Sequence, residues 1–169
     1  MMKMSKITQI CKKIKIVISD VDGVLTDGGV YYSEKGESLK KFNVKDGMGV
    51  ELLHNKNIKV ILLTRENSKI VQMRGEKINA DKIILGIKNK FDELEKLKQE
   101  FNVNSKEIGY IGDDLNDLEI MSSVGFAGTP FDGHEKIKEV SDYICEKRGG
   151  HGAFREFAEI IIENGNKNE

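Results

Sequence analysis

Two short apolar runs of the sequence end in closely spaced aspartates. The first run leads into Asp20 and Asp22 within "KIVISDVDGVLTDGG", residues 15–29, and the second leads into "GDDLND", residues 112–117. Ionised carboxylates that cluster repel one another, and burying them is costly unless a cation compensates their charge. A set of oxygen ligands alone favours Mg²⁺. The spacing therefore predicts a Mg²⁺ site.

A hydroxyl and a lysine extend the set. Thr64 follows the apolar run 58–63, and Lys90 precedes a helical pattern that begins at Phe91. Mg²⁺ and Lys90 together would bind an anion, while Thr64 and the backbone N–H groups after Asp20 would complete its cradle. One carboxylate can attack phosphorus, and a second can protonate the leaving oxygen and then activate water. These residue types predict phosphoryl chemistry.

The elements that must position these groups follow from the periodicity. β-Branched runs of four to six residues alternate with helical patterns, which predicts right-handed βαβ units and a doubly wound parallel sheet of the Rossmann-like α/β class. The predicted strands are Ile14–Ser19, Ile58–Leu63, Lys82–Leu85, Ile108–Ile111, Gly125–Gly128 and Asp142–Cys145. Ligands of such sheets bind outside the carboxyl ends of the strands, where the candidate residues fall.

One stretch lacks a helix between its strands. Residues 28–42 alternate around Ser-Glu-Lys-Gly, which predicts a β-hairpin with Val30–Ser33 against Ser38–Phe42. Because it directly follows the first aspartates, the hairpin should project over the site. The 169 residues suggest one domain, 1–169, that ends in a tail and helix at about 146–164.

Composition limits the partners. A net charge of −1 and 7% aromatic residues argue against nucleic acid as a partner. The two cysteines form no spaced metal or disulfide motif, no apolar run approaches the length of a membrane span, and the opening segment has no signal-peptide core. We therefore expect a cytoplasmic protein with a small-molecule substrate.

"DVDGVLTDG", Thr64, Lys90 and "GDDLND" together resemble the four motifs of the haloacid dehalogenase superfamily, in the same order and over nearly the whole chain. The resemblance implies that Asp20 is the nucleophile and that Asp22 is the general acid and base. It also implies that Asp20, the Asp22 carbonyl and Asp113 bind Mg²⁺, and that Thr64 and Lys90 hold phosphoryl oxygens. Asp114 and Asp117 would support this set, with solvated turn residues as the alternative. The short spacings leave no room for a cap domain.

Further segments resemble a narrower group, the phosphatases of 3-deoxy-2-ulosonic acid phosphates. They are "DGGVYYSEKGE", "FNVKDGMG" and "EKRGGHGAFREF". The resemblance implies a homotetramer with hairpins at its centre, in which the Arg-Gly-Gly tail reaches a neighbour's site. The implied substrate residues are Arg148 and a loop of Asn43, Val44, Lys45, Asp46 and Gly47.

The sequence directly after Thr64 differs between two branches of this group of phosphatases. "TREN" places Glu66 where the octulosonate 8-phosphate enzymes usually have an arginine, and Arg65 where a glycine is common. Glu66, Arg74 and Lys77 resemble the signature of the nine-carbon KDN 9-phosphate branch, which is therefore the expected activity. The alternatives are a 3-deoxy-D-manno-octulosonate (KDO) 8-phosphate phosphatase and a non-catalytic oligomerisation module related to that of CMP-sialic acid synthetases. The complete acid set disfavours the last.

Overall fold

A six-stranded sheet forms the centre of the molecule. The computed structural model describes residues 4–165, and all neighbouring strands of this sheet are parallel, in the order β5-β4-β1-β6-β7-β8. The strands are β1 Ile16–Ser19, β4 Lys59–Leu63, β5 Lys82–Ile84, β6 Ile108–Ile111, β7 Phe126–Thr129 and β8 Tyr143–Ile144. The predicted α/β class is confirmed. Each predicted strand of this sheet is present: Ile108–Ile111 has the predicted bounds, and each of the others has at least one end shifted by one or two residues.

Helices cover both faces of the sheet. They are α1 Met4–Cys11, α2 Val44–His54, α3 Lys69–Lys77, α4 Lys90–Phe101, α5 Leu118–Met121, α6 Glu135–Val140 and α7 Ala153–Gly165. Alternate residues of β1 point into two separate cores: Val17 packs with residues of α2 and α7, whereas Ile16 and Ile18 pack with residues of α4. A strand buried on both faces must be apolar throughout, which explains the unbroken "IVI" run. None of the helices within residues 4–165 is long and apolar enough to cross a bilayer.

The hairpin departs from its predicted bounds. It consists of β2 Tyr31–Ser33 and β3 Gly36–Leu39, so the predicted second strand at Ser38–Phe42 is wrong. The turn closes over Glu34 and Lys35 because Gly36 adopts φ +103°, which a residue with a Cβ rarely adopts. The second strand therefore begins and ends earlier.

The parallel register brings the loops of the central strands to one edge. Ser19 of β1 lies opposite Leu62 of β4 and Ile111 of β6, and the backbone N–H of Asp20 donates to the Ile111 carbonyl at 3.0 Å. The residues that follow these three strands therefore meet at the carboxyl edge of the sheet.

Candidate active site

Three carboxylates converge at this edge. Asp20 follows β1, Asp113 follows β6, and Asp117 ends the short turn after β6; one oxygen of each lies within 4.8 Å of the others. Asp20 is 5% exposed and Asp117 is fully buried. Gly23 makes the approach possible: at φ +87°, a Cβ added there would lie 2.0 Å from an Asp113 oxygen. Only glycine fits between the two loops.

Lys90 supplies the positive charge inside this cluster. It occupies the first position of α4, whose start is capped by the Asn89 side chain, and only 1% of its surface is exposed. Its Nζ lies 2.7 Å from Asp20 Oδ1 and 2.6 Å from Asp117 Oδ1. Burial opposes the charged form, but the two carboxylates outweigh it and raise the pKa of Lys90. Lys90 is therefore a permanent cation.

Asp117 is fully engaged by protein groups. Oδ1 accepts from Lys90 and, at 2.6 Å, from the Tyr110 hydroxyl; Oδ2 accepts from the backbone N–H groups of Asp113 and Asp114. Such saturation suits a residue that holds Lys90 and the turn that carries Asp113 in place. The alternative of a solvated turn residue is wrong for Asp117. Tyr110 was missed by the sequence analysis, although a tyrosine in the aliphatic strand "IGYI" signals a polar partner below the sheet edge.

Lys90 only partly compensates the negative charge of the other two carboxyls, Asp20 and Asp113. Burial, then the negative charge of Asp117, raises the pKa of Asp20, and burial with the charges of Asp20 and Asp117 raises the pKa of Asp113. A divalent cation would remove this repulsion, so the donor set fits Mg²⁺. The residues that could hold it are Asp20, Asp113 and the backbone carbonyl of Asp22.

Asp22 is held by the hairpin. Its Oδ1 accepts from the Thr26 hydroxyl at 3.3 Å and from Lys40 Nζ at 2.6 Å, whereas its buried Oδ2 has no hydrogen-bond partner among the described residues. Lys40 follows β3, and its side chain is inaccessible to solvent. The two oxygens of this carboxyl are therefore unequal. Lys40 was not predicted, because nothing in the local sequence distinguishes it from Lys41.

A cavity of about 310 Å³ opens over these groups. Thr64 lies at its floor, 2% exposed, and its hydroxyl accepts from the Glu66 backbone N–H at 3.1 Å. Its lining residues are Asp20, Asp22, Thr64, Arg65, Glu66, Asp113, Asp114 and Asn116. The arrangement can bind a metal-complexed anion, place a buried carboxylate against it and supply a second carboxyl for proton transfer.

Comparisons with known proteins agree with this chemistry. Residues 2–156 match the family described as haloacid dehalogenase-like hydrolases. The chain belongs to that family. A curated relative from Haemophilus influenzae named 3-deoxy-D-manno-octulosonate 8-phosphate phosphatase is 35% identical over 152 residues, 90% of this chain and 84% of the relative.

Solved structures of similar hydrolases superpose closely. The cobalt-bound octulosonate 8-phosphate phosphatase of Haemophilus influenzae has a TM-score of 0.91 at 34% identity, covering 94% of this chain and 93% of that one. The Moraxella catarrhalis enzyme, in complex with magnesium, phosphate and KDO, has a TM-score of 0.92 at 36% identity, covering 96% and 93%. The chain is therefore an enzyme, a phosphoric monoester hydrolase, and the alternative of a non-catalytic module is not supported.

The hydrolase places its other candidate residues away from the acidic cavity. Arg74 and Lys77 line a separate concavity of about 300 Å³ that also includes Val44, Gly47 and Glu51. The Arg74 guanidinium donates to the Asn43 carbonyl at 2.9 Å. Within one chain, these residues and Glu66 therefore do not share a pocket.

The segment Asn43–Gly47 forms the start of α2. Asn43 caps the helix by accepting from the Lys45 backbone N–H, and Val44 is 82% exposed. Asp46 is 1% exposed and accepts from the backbone N–H of Arg155, so it ties α2 to the start of α7.

The Arg-Gly-Gly segment of the hydrolase packs against its own chain. A Cβ at Gly149 would lie 1.9 Å from the Gly23 carbonyl oxygen, and the Gly150 N–H donates to the Val24 carbonyl at 2.9 Å. Arg148 points away from this contact: its side chain is 62% exposed and lies 5.5 Å from the Phe131 ring. The two glycines thus support the loop that carries Asp22.

Proposed function

We propose that this hydrolase is a Mg²⁺-dependent phosphomonoesterase that removes the terminal phosphate from a 3-deoxy-2-ulosonic acid by way of an aspartyl-phosphate. The observation that carries the proposal is the close approach of Asp20, Asp113 and Lys90 at the carboxyl edge of the sheet. The first candidate substrate is KDO 8-phosphate, because relatives at about 35% identity carry that name.

The reaction follows from the placement of the two aspartates. In the first step an Asp20 carboxylate oxygen attacks phosphorus, and the bond between phosphorus and the sugar oxygen breaks. The carboxyl of Asp22 gives its proton to that leaving oxygen. In the second step the Asp22 carboxylate takes a proton from water, the water oxygen attacks phosphorus, and Asp20 is released with inorganic phosphate. The two steps together restore the starting protonation of Asp22 and the free carboxylate of Asp20.

Lys90 and Thr64 would hold the phosphoryl group during this exchange. Lys90 lies 2.7 Å from Asp20 Oδ1, so the ammonium sits beside the site of attack. Mg²⁺, when bound by Asp20, Asp113 and the Asp22 carbonyl, supplies charge neutralisation for the phosphoryl oxygens. Pre-arranged charges of this kind act strongly because Asp20 and Lys90 are almost fully buried.

Phosphate release in the presence of Mg²⁺ tests the proposal. We expect the wild-type protein to hydrolyse KDO 8-phosphate and Asp20→Asn to lose at least about 10³-fold in kcat, since it removes the nucleophile. Asp92→Asn, an exposed aspartate of α4, is the matched control and should retain full activity. Activity of Asp20→Asn above a few per cent of wild type would refute the assignment of the nucleophile.

A nine-carbon substrate is the second candidate. The observation that favours it is Glu66, which lines the acidic cavity where the eight-carbon enzymes usually have an arginine. We expect Glu66→Arg to shift kcat/KM from KDN 9-phosphate or N-acetylneuraminate 9-phosphate toward KDO 8-phosphate. An unchanged ratio would exclude Glu66 as a specificity residue.

A homotetramer is the proposed assembly. The hairpin region exposes Val30, Tyr31, Tyr32 and Leu39 by 52–73%, and an isolated two-stranded unit is marginal in water. Assembly would also let the concavity of Arg74 and Lys77 complete the acidic cavity of a neighbour. Sedimentation equilibrium tests this: Tyr32→Glu should dissociate the assembly, whereas a wild-type monomer would contradict it.

A further inference from the structure

The contact between the hairpin and Asp22 extends across the mouth of the site. Lys40 Nζ lies 2.6 Å from Asp22 Oδ1 and 3.5 Å from Glu37 Oε1. Glu37 in turn accepts from the Ser68 hydroxyl at 3.4 Å, just before α3. The base of the hairpin therefore links the loop after β1 to the loop after β4, which also carries Thr64.

Lys40 is built into this place. Its side chain is inaccessible to solvent although it directly follows a hairpin whose large apolar residues are exposed. A buried ammonium must be compensated, and Asp22 and Glu37 supply that compensation. Lys41, the next residue, is 53% exposed and pairs with Asp27 instead. The two neighbouring lysines thus have different surroundings.

The contact also makes the oxygens of Asp22 unequal. Oδ1 accepts from both Lys40 and Thr26, whereas the buried Oδ2 has no hydrogen-bond partner among residues 4–165. Two donors on one oxygen and none on the other define a single orientation of the carboxyl. A charge-assisted hydrogen bond at 2.6 Å also restricts rotation of the side chain.

We propose that Lys40 is a positioning residue for proton transfer, which fixes the orientation of the Asp22 carboxyl from the hairpin for exchange of a proton with the leaving oxygen. The inference rests on the proposed role of Asp22 as general acid. Its consequence is specific: loss of Lys40 should harm substrates with poor leaving groups most, because good leaving groups depart without a proton.

A series of substituted phenyl phosphates tests this, because these esters have similar sizes and differ in the pKa of the leaving phenol. The quantity to measure is kcat/KM, which reports the steps up to departure of the phenol and so excludes hydrolysis of the aspartyl-phosphate. The variants are Lys40→Met, which keeps the buried stem without the ammonium, Lys40→Arg, which restores a donor, and the control Lys41→Met. Asp22→Asn serves as the reference for loss of the acid.

For Lys40→Met we expect a loss on phenyl phosphate about 10-fold greater than the loss on 4-nitrophenyl phosphate, a fraction of the ~10²–10⁴-fold that a general acid contributes. Lys40→Arg should recover part of this difference, and Lys41→Met should match wild type. An equal loss on every ester, or a change in KM alone, would overturn the inference and leave Lys40 a structural or substrate-binding residue. If Asp22→Asn itself shows no leaving-group dependence, the proposed role of Asp22 fails instead.

Discussion

Removal of the Tyr110 hydroxyl tests whether its hydrogen bond to Asp117 keeps the buried acidic cluster in place. The hydroxyl is fully buried in β6 and donates to Asp117 Oδ1 at 2.6 Å. Tyr110→Phe keeps the ring in its packed position and removes only this donor. Asp117 keeps its bonds to Lys90 and to two backbone N–H groups, so the fold should survive.

The magnitude follows from the type of bond. A hydrogen bond to a charged group contributes roughly 1.5–3 kcal/mol, and we expect Tyr110→Phe to lower the free energy of unfolding by about 2 kcal/mol. For a domain of this size that corresponds to a fall in Tm of about 4–8 °C. Because Asp117 also holds Lys90, and Lys90 holds Asp20, kcat should fall about 3- to 10-fold with little change in KM.

Tyr143→Phe is the matched control. Its hydroxyl donates to Glu156 at 2.8 Å, again to a carboxylate, but on the far side of β7 from the acidic cluster and in a partly buried setting. It should lower Tm by a smaller amount and leave kcat unchanged. Calorimetry and steady-state kinetics at saturating Mg²⁺ measure both effects. Equal kcat values for the two variants would refute coupling through Tyr110, Asp117 and Lys90.

Three further predictions concern the metal, a buried carboxyl and a glycine. Burial and mutual repulsion raise the pKa values of Asp20 and Asp113, so Mg²⁺ must displace protons when it binds. The increase in Tm produced by Mg²⁺, relative to EDTA, should therefore be larger at pH 8 than at pH 5.5. An equal increase at both pH values would contradict a Mg²⁺ site at these carboxyls. Burial raises the pKa of Asp46 from 3.8 to about 6, so the folded state favours the protonated carboxyl. The stabilisation is fully present below pH ~4 and is lost as pH rises through 6, which lowers the free energy of unfolding by about 3 kcal/mol in total. Urea unfolding of Asp46→Asn should lack this part of the pH dependence. Gly23→Ala places a Cβ 2.0 Å from the Asp113 carboxylate, and the Mg²⁺ concentration for half-maximal activity should rise by at least about 10-fold; an unchanged requirement would show that the two loops can separate without cost to the metal site.

Much of the active site could be predicted because it depends on strand ends. Asp20, Thr64 and Asp113 each follow an apolar run, and parallel strands bring their carboxyl ends to one edge whatever the details of packing. These apolar runs can be recognised in the sequence because strands covered on both faces are apolar at nearly every position. The structure places these residues together for that reason.

The remaining contacts depend on tertiary geometry that local patterns do not carry. The hairpin register depends on the positive φ of Gly36, and the choice of Lys40 over Lys41 as the buried lysine depends on that register. The Tyr110 hydroxyl can donate to Asp117 only because the turn after β6 folds back on the strand. Glu66 and Arg74 are close in sequence, yet α3 carries Arg74 away from the acidic cavity to a second concavity.

Direct capture of the covalent intermediate tests the central claim. Wild-type protein turning over KDO 8-phosphate with Mg²⁺ would be quenched in acid and reduced with borohydride, which converts an aspartyl-phosphate to homoserine, and its peptides would be analysed by mass spectrometry. We expect the modification at residue 20 alone, and none without substrate. Turnover without any modified aspartate, or modification at Asp113 instead, would contradict the assignment of Asp20 as the nucleophile.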